Sequence, residues 1–118
     1  MTMSILVDNF TCILNHLDQK QIRPVLFEQR ALSDGEYERL VSLSTSDGNE
    51  QLFFMIKKKG IKGFQQFMIA LEKTSGNSIG HHEILETLKA SLALQPQLSY
   101  AAQILSVLST PTVPQSTQ

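Results

Sequence analysis

Two charged clusters of opposite sign stand out in this chain: Lys57, Lys58, Lys59 and Lys62 on one side, and Asp34, Glu36 and Glu38, with Asp18 and Glu28 ahead of them, on the other. Clusters of this kind do recognition chemistry, pairing with complementary charged surfaces. Each also has a plainer role, since lysines at the end of a helix complement its dipole and carboxylates solvate the start of another. The lysines could equally neutralise phosphates of a nucleic acid, with the strong salt dependence that counterion release brings. A formal net charge of −1 and the absence of interleaved exposed aromatics oppose that use. His81-His82-Glu83 invites a metal, but adjacent residues face different sides of a helix and no further ligand sits at the right spacing, so no metal site is expected. Cys12, between Phe10 and Ile13 on an apolar stripe and without a basic neighbour in sequence, reads as a core residue rather than a nucleophile. His16 closes the same stripe and reads as structural. Gly60 and Gly63 follow no strand and precede no Gly-Lys-Ser/Thr, so they make no phosphate loop. No catalytic set and no cofactor are expected.

These side chains must be carried by a small fold. A chain of 118 residues and 13.2 kDa with 42% hydrophobic and 18% charged residues suits one globular domain. One cysteine makes no intramolecular disulfide and points to a reducing compartment. No apolar run approaches the roughly 20 residues that span a bilayer, and the opening Met1-Thr2-Met3-Ser4 lacks the basic flank of a secretion signal, so a cytoplasmic protein is expected.

Apolar periodicity predicts helices throughout. Leu6, Phe10, Ile13, Leu14 and Leu17 predict a first helix from about Ser4 to His16, followed by a break and cap at Asp18. Ile22, Val25 and Leu26 predict a second, and Pro24 requires it to begin late, near Lys20 or Gln21, or to kink. Ser33 and Glu36 form a capping-box pattern at the start of a third, with Tyr37, Leu40 and Val41 facing inward. The cluster from Ser44 to Asn49 reads as a turn that ends it. A fourth helix from about Asn49 to Lys59 buries Leu52, Phe53 and Ile56 and stops at Gly60. Phe64, Phe67, Met68 and Leu71 mark the buried face of a fifth, about Ile61 to Thr74, and Ile84, Leu85, Leu88 and Leu92 that of a sixth, about Ile79 to Leu94. Pro96 interrupts, a short helix is possible between Leu98 and Leu108, and Pro111 to Gln118 reads as a tail. The division is therefore a helical domain over 4–94, an additional apolar segment over 95–109 and a tail over 110–118.

The order of these signals carries a resemblance. An apolar first helix, Leu17-Asp18, Ile22 through Leu26, Ala31-Leu32-Ser33 before Glu36-Tyr37-Glu38-Arg39-Leu40, then a Lys-Gly turn and Phe64 to Leu71, resembles the caspase recruitment domain over about Ile5 to Leu88. The resemblance implies an all-α, six-helix antiparallel death-fold bundle, with His82 similar to a histidine often found at the start of the sixth helix. It implies a protein–protein interaction module rather than an enzyme, binding other caspase recruitment domains and itself, in apoptotic or inflammatory signalling, through helical assembly. Members commonly oppose basic residues of the first and fourth helices to acidic residues of the second and third. The match here gives Asp18, Glu28, Asp34, Glu36 and Glu38 as the acidic side and Lys57, Lys58, Lys59 and Lys62 as the basic side, while the first helix departs from the pattern in carrying Asp8 and no Lys or Arg. Both patches on one molecule would let copies stack head to tail in an open assembly. A free-standing decoy that blocks a partner is the alternative if the 118 residues are the whole chain. From another class, the alternative is a small helical nucleic-acid-binding domain, and a death effector domain would share the helix order. Neither nucleic acid nor membrane is the expected partner.

Overall fold

The sequence pattern demands helices that each hide one stripe, and the fold supplies them around a single core. The structure, a computed structural model, describes residues 4–95 and 100–108. It is all-helical, with α1 Ser4–Asp8, α2 Phe10–His16, α3 Gln19–Glu28, α4 Asp34–Val41, α5 Thr45–Thr74, α6 Ile79–Leu94 and α7 Ala101–Leu105. Pro96, Leu98 and the segment 110–118 lie outside the described residues. No described helix is long and apolar enough to cross a membrane.

The central element is α5, against which α3, α4, α6 and α7 pack, while α1 and α2 lie across α6. Its second arm carries the stripe that organises the core: Phe64, Phe67, Met68 and Leu71 are all buried, together with Leu52, Phe53 and Ile56 of the first arm. Burying each such side chain contributes about 1.5–3 kcal/mol. The two arms join at Gly60, whose φ of 74° and ψ of −147° interrupt the helix. That is left-handed territory suited to glycine, so the sequence signal for a stop at Gly60 marks a real bend. Gly63 lets the arms approach, because a Cβ there would lie 2.8 Å from the Ile56 carbonyl oxygen.

Three boundaries and one inward-facing residue differ from the sequence expectation. The first helix is split, since Asn9 leaves helical geometry and turns its Nδ2 to the Ile5 carbonyl (2.8 Å) and Ser91 Oγ (3.2 Å), tying the break to α6. The second helix begins at Gln19, earlier than Pro24 suggests, because Asp18 caps it by accepting from the Lys20 amide at 3.1 Å. Pro24 then sits inside α3 at an exposed position, where solvent can take the bond it cannot make. Ser44 to Asn49 is not a turn: Ser44 caps α5 by accepting from the Asp47 amide, and the helix starts at Thr45. Val41 faces outward with 49% exposure, leaving Leu40 as the buried residue of α4 and Tyr37 half-buried. The capping box of Ser33 and Glu36 and the span of α6 are as the sequence places them.

The segment beyond α6 joins the bundle. Tyr100, Ala101 and Ile104 are buried, the Tyr100 and Phe64 rings lie 6.5 Å apart, and Gln65 Nε2 donates to the Gln103 carbonyl.

Candidate functional site

The charged residues gather where α3 hands over to α4. Helix α3 ends in a Schellman motif, with the Ala31 amide bonded to the Leu26 carbonyl at 2.9 Å and the Arg30 amide to that of Phe27 at 3.0 Å. The motif places Arg30 in the left-handed region with φ of 64°, a position that glycine usually fills. Three residues on, the Ser33 hydroxyl accepts from the Glu36 amide at 3.2 Å and Glu36 Oε1 accepts from the Ser33 amide at 2.9 Å. Locked there by its capping duty, the same Glu36 carboxylate meets Lys59 Nζ at 3.1 Å. Burial pushes the Glu36 carboxyl upward, but the Ser33 bonds and the Lys59 ammonium outweigh it and hold the group below its ordinary value. About a third of each side chain remains exposed, so the pair contributes only about 0–1 kcal/mol.

Three clefts open around this ion pair. One of about 630 Å³ is lined by Glu28, Asp34, Glu36 and Lys59, with Phe27 and Arg30 at its sides. A second, of about 460 Å³, is lined by Gln29, Arg30, Ala31, Lys59, Lys62, Gly63 and Gln66. A third, of about 370 Å³, places Lys58 and Lys59 beside Glu36, Gln51, Met55 and the half-exposed Phe54. Glu28, Asp34, Glu36, Lys58, Lys59 and Lys62 are thus brought to one region, with Lys59 common to all three clefts. Glu38 and Lys57 are exposed on α4 and α5 but line none of them.

Asp18 belongs elsewhere. It caps α3, and its amide donates to His81 Nε2 at 3.0 Å. Because that nitrogen accepts, the neutral ring carries its proton on Nδ1, 2.7 Å from Thr74 Oγ1. His81 is fully buried and joins the starts of α3 and α6 to the end of α5, whereas its neighbour His82 is exposed. Burial lowers the His81 pKa, against an upward pull from Asp18. Among the described residues no group of three His, Cys, Asp or Glu side chains could hold a metal. Cys12 is half-buried rather than core, and its Sγ lies 3.8 Å from His16 Nδ1, which also sits 2.9 Å from the Cys12 carbonyl.

Comparison of the chain with protein-family models, with curated proteins and with solved structures finds no match.

Sequence reasoning overlooked Arg30, Phe27 and Phe54. No residue type announced the left-handed turn at Arg30. Phe54 did leave a signal, because it lies off the helical stripe that Leu52, Phe53 and Ile56 form. Phe53 is buried and Phe54 is 49% exposed, in ring contact with it at 5.4 Å.

Proposed function

We propose that this chain is a cytoplasmic protein–protein interaction module, similar to a caspase recruitment domain, which binds domains of its own kind and assembles into filaments in apoptotic or inflammatory signalling. The observation that carries the reading is the unspent charge on either side of Glu36–Lys59. Lys57 and Lys58 on one side and Glu28, Asp34 and Glu38 on the other are exposed and form no ion pair among the described residues. Phe54 beside the lysines and Phe27 beside the carboxylates give each patch an apolar element, which screened charges need in order to bind. Asp18, committed to the α3 cap and His81, drops out of the proposed acidic surface.

The test is charge reversal away from the folding motifs. Glu36 caps α4, so Glu38 is the better acidic position. Negative-stain microscopy and light scattering of the purified chain should show salt-sensitive filaments. Glu38→Lys or Lys58→Glu alone should abolish them, and the mixed variants should partly restore them. Filaments that persist in both single variants would remove these patches from the mechanism.

A further inference from the structure

Arg30 is an anomaly. It stands at the residue after the α3 cap, with φ of 64°, where a side chain is disfavoured and glycine is the usual solution. The side chain is exposed, so no packing gain compensates the strain. Strained positions of this kind concentrate at sites where the side chain is used.

What surrounds it indicates the use. Arg30 borders the acidic 630 Å³ cleft on one side, and on the other it lines the 460 Å³ cleft, which presents Lys59 and Lys62 and no carboxylate. Arg30 and Lys62 form no ion pair among the described residues, and Lys59 is engaged by Glu36 from a neighbouring cleft. Gly63 leaves the lining without a side chain at the bend of α5. Gln29, held by its Nε2 to the Gln66 carbonyl and Oε1, keeps a buried Oε1 that no protein group satisfies. A ligand that answers these cations has more than one negative charge. The volume suits a small molecule.

We infer that this cleft is a binding site for a compact polyphosphate or multiply phosphorylated ester, with Arg30 as its forked donor and Lys62 and Lys59 as its flanking charges. A guanidinium meets phosphate through two parallel bonds, which a lysine at the same position would not supply. Binding draws Lys59 away from Glu36, so an occupied cleft releases a carboxylate of the acidic patch. The site rests on the cleft itself and not on the signalling role proposed above.

Isothermal titration of the intact chain with inorganic tripolyphosphate, at neutral pH and about 50 mM salt, tests it. Saturable one-to-one binding that weakens as salt rises is expected. Arg30→Gly should weaken it about tenfold or more while the melting temperature stays level or rises, because glycine relieves the left-handed strain. Lys62→Gln should weaken it without altering the melting temperature. No saturation by about 5 mM tripolyphosphate, or wild-type affinity in Arg30→Gly, would overturn the assignment. So would binding of a short DNA duplex by a chain that takes up no tripolyphosphate, since the lysines would then serve a nucleic-acid backbone.

Discussion

Helix α3 has a closed end and an open end. At its start, Gln19 is fully buried and bonded on every side. Its amide donates to Asn49 Oδ1 at 2.9 Å, its Nε2 to the Leu40 carbonyl at 3.3 Å, and its Oε1 accepts from Arg23 Nη1 at 2.8 Å. Asn49 Nδ2 donates to the Leu17 carbonyl at 2.7 Å, and His81 takes the Asp18 amide beside it. At its finish, Arg30 is strained, the neighbouring charges are mostly unpaired, and two clefts adjoin. Satisfied buried polar groups specify one arrangement, whereas unpaired exposed ones leave interaction energy for a partner. One helix thus anchors the fold at one end and offers chemistry at the other.

The contrast breaks most readily at the closed end. Asn49→Ala strands the Gln19 amide and the Leu17 carbonyl, and should cost about 2–4 kcal/mol in urea unfolding, with the charged clefts unaltered. Acid sharpens the comparison. The folded His81 ring takes up a proton less readily than the unfolded one, so its contribution is complete above its ordinary value of 6.5 and is lost as the pH falls below it. Protonation requires Nε2 to give up the Asp18 amide. Unfolding free energy measured from pH 7.5 to 5 should therefore fall in wild type and fall less in His81→Gln. At the open end the effects should be small: Lys59→Met should change stability by no more than about 1 kcal/mol, and the difference should shrink with added salt. A loss from Lys59→Met as large as that from Asn49→Ala would end the distinction.

The sequence disclosed what local chemistry determines. Ser33 with Glu36, the apolar spacing of Phe64, Phe67, Met68 and Leu71, and Gly60 each act within a few residues, and each is found in its expected role. The misreadings involve partners distant in sequence. Gly48 and Asn49 look like turn residues, yet a Cβ at Gly48 would lie 2.7 Å from Gln19 Nε2, so the pair is there to receive Gln19. Asn9 breaks the first helix with help from Ser91, and His81 is claimed by Asp18 and Thr74. The charged residues were visible as types, but their grouping depends on the α3–α4 connection folding against the bend of α5. Nothing in the spacing of Asp18 separated it from Glu28 and Asp34.

Gly60 has a further consequence for how many molecules share a core. Without its bend, the 30 residues of α5 would form one rod of about 45 Å. The arm bearing Phe64, Phe67, Met68 and Leu71 would then point away from Leu52, Phe53 and Ile56, and only a second chain, opened in the same way, could receive it. A residue at position 60 that straightened the bend would therefore be expected to favour an exchanged dimer over the monomer.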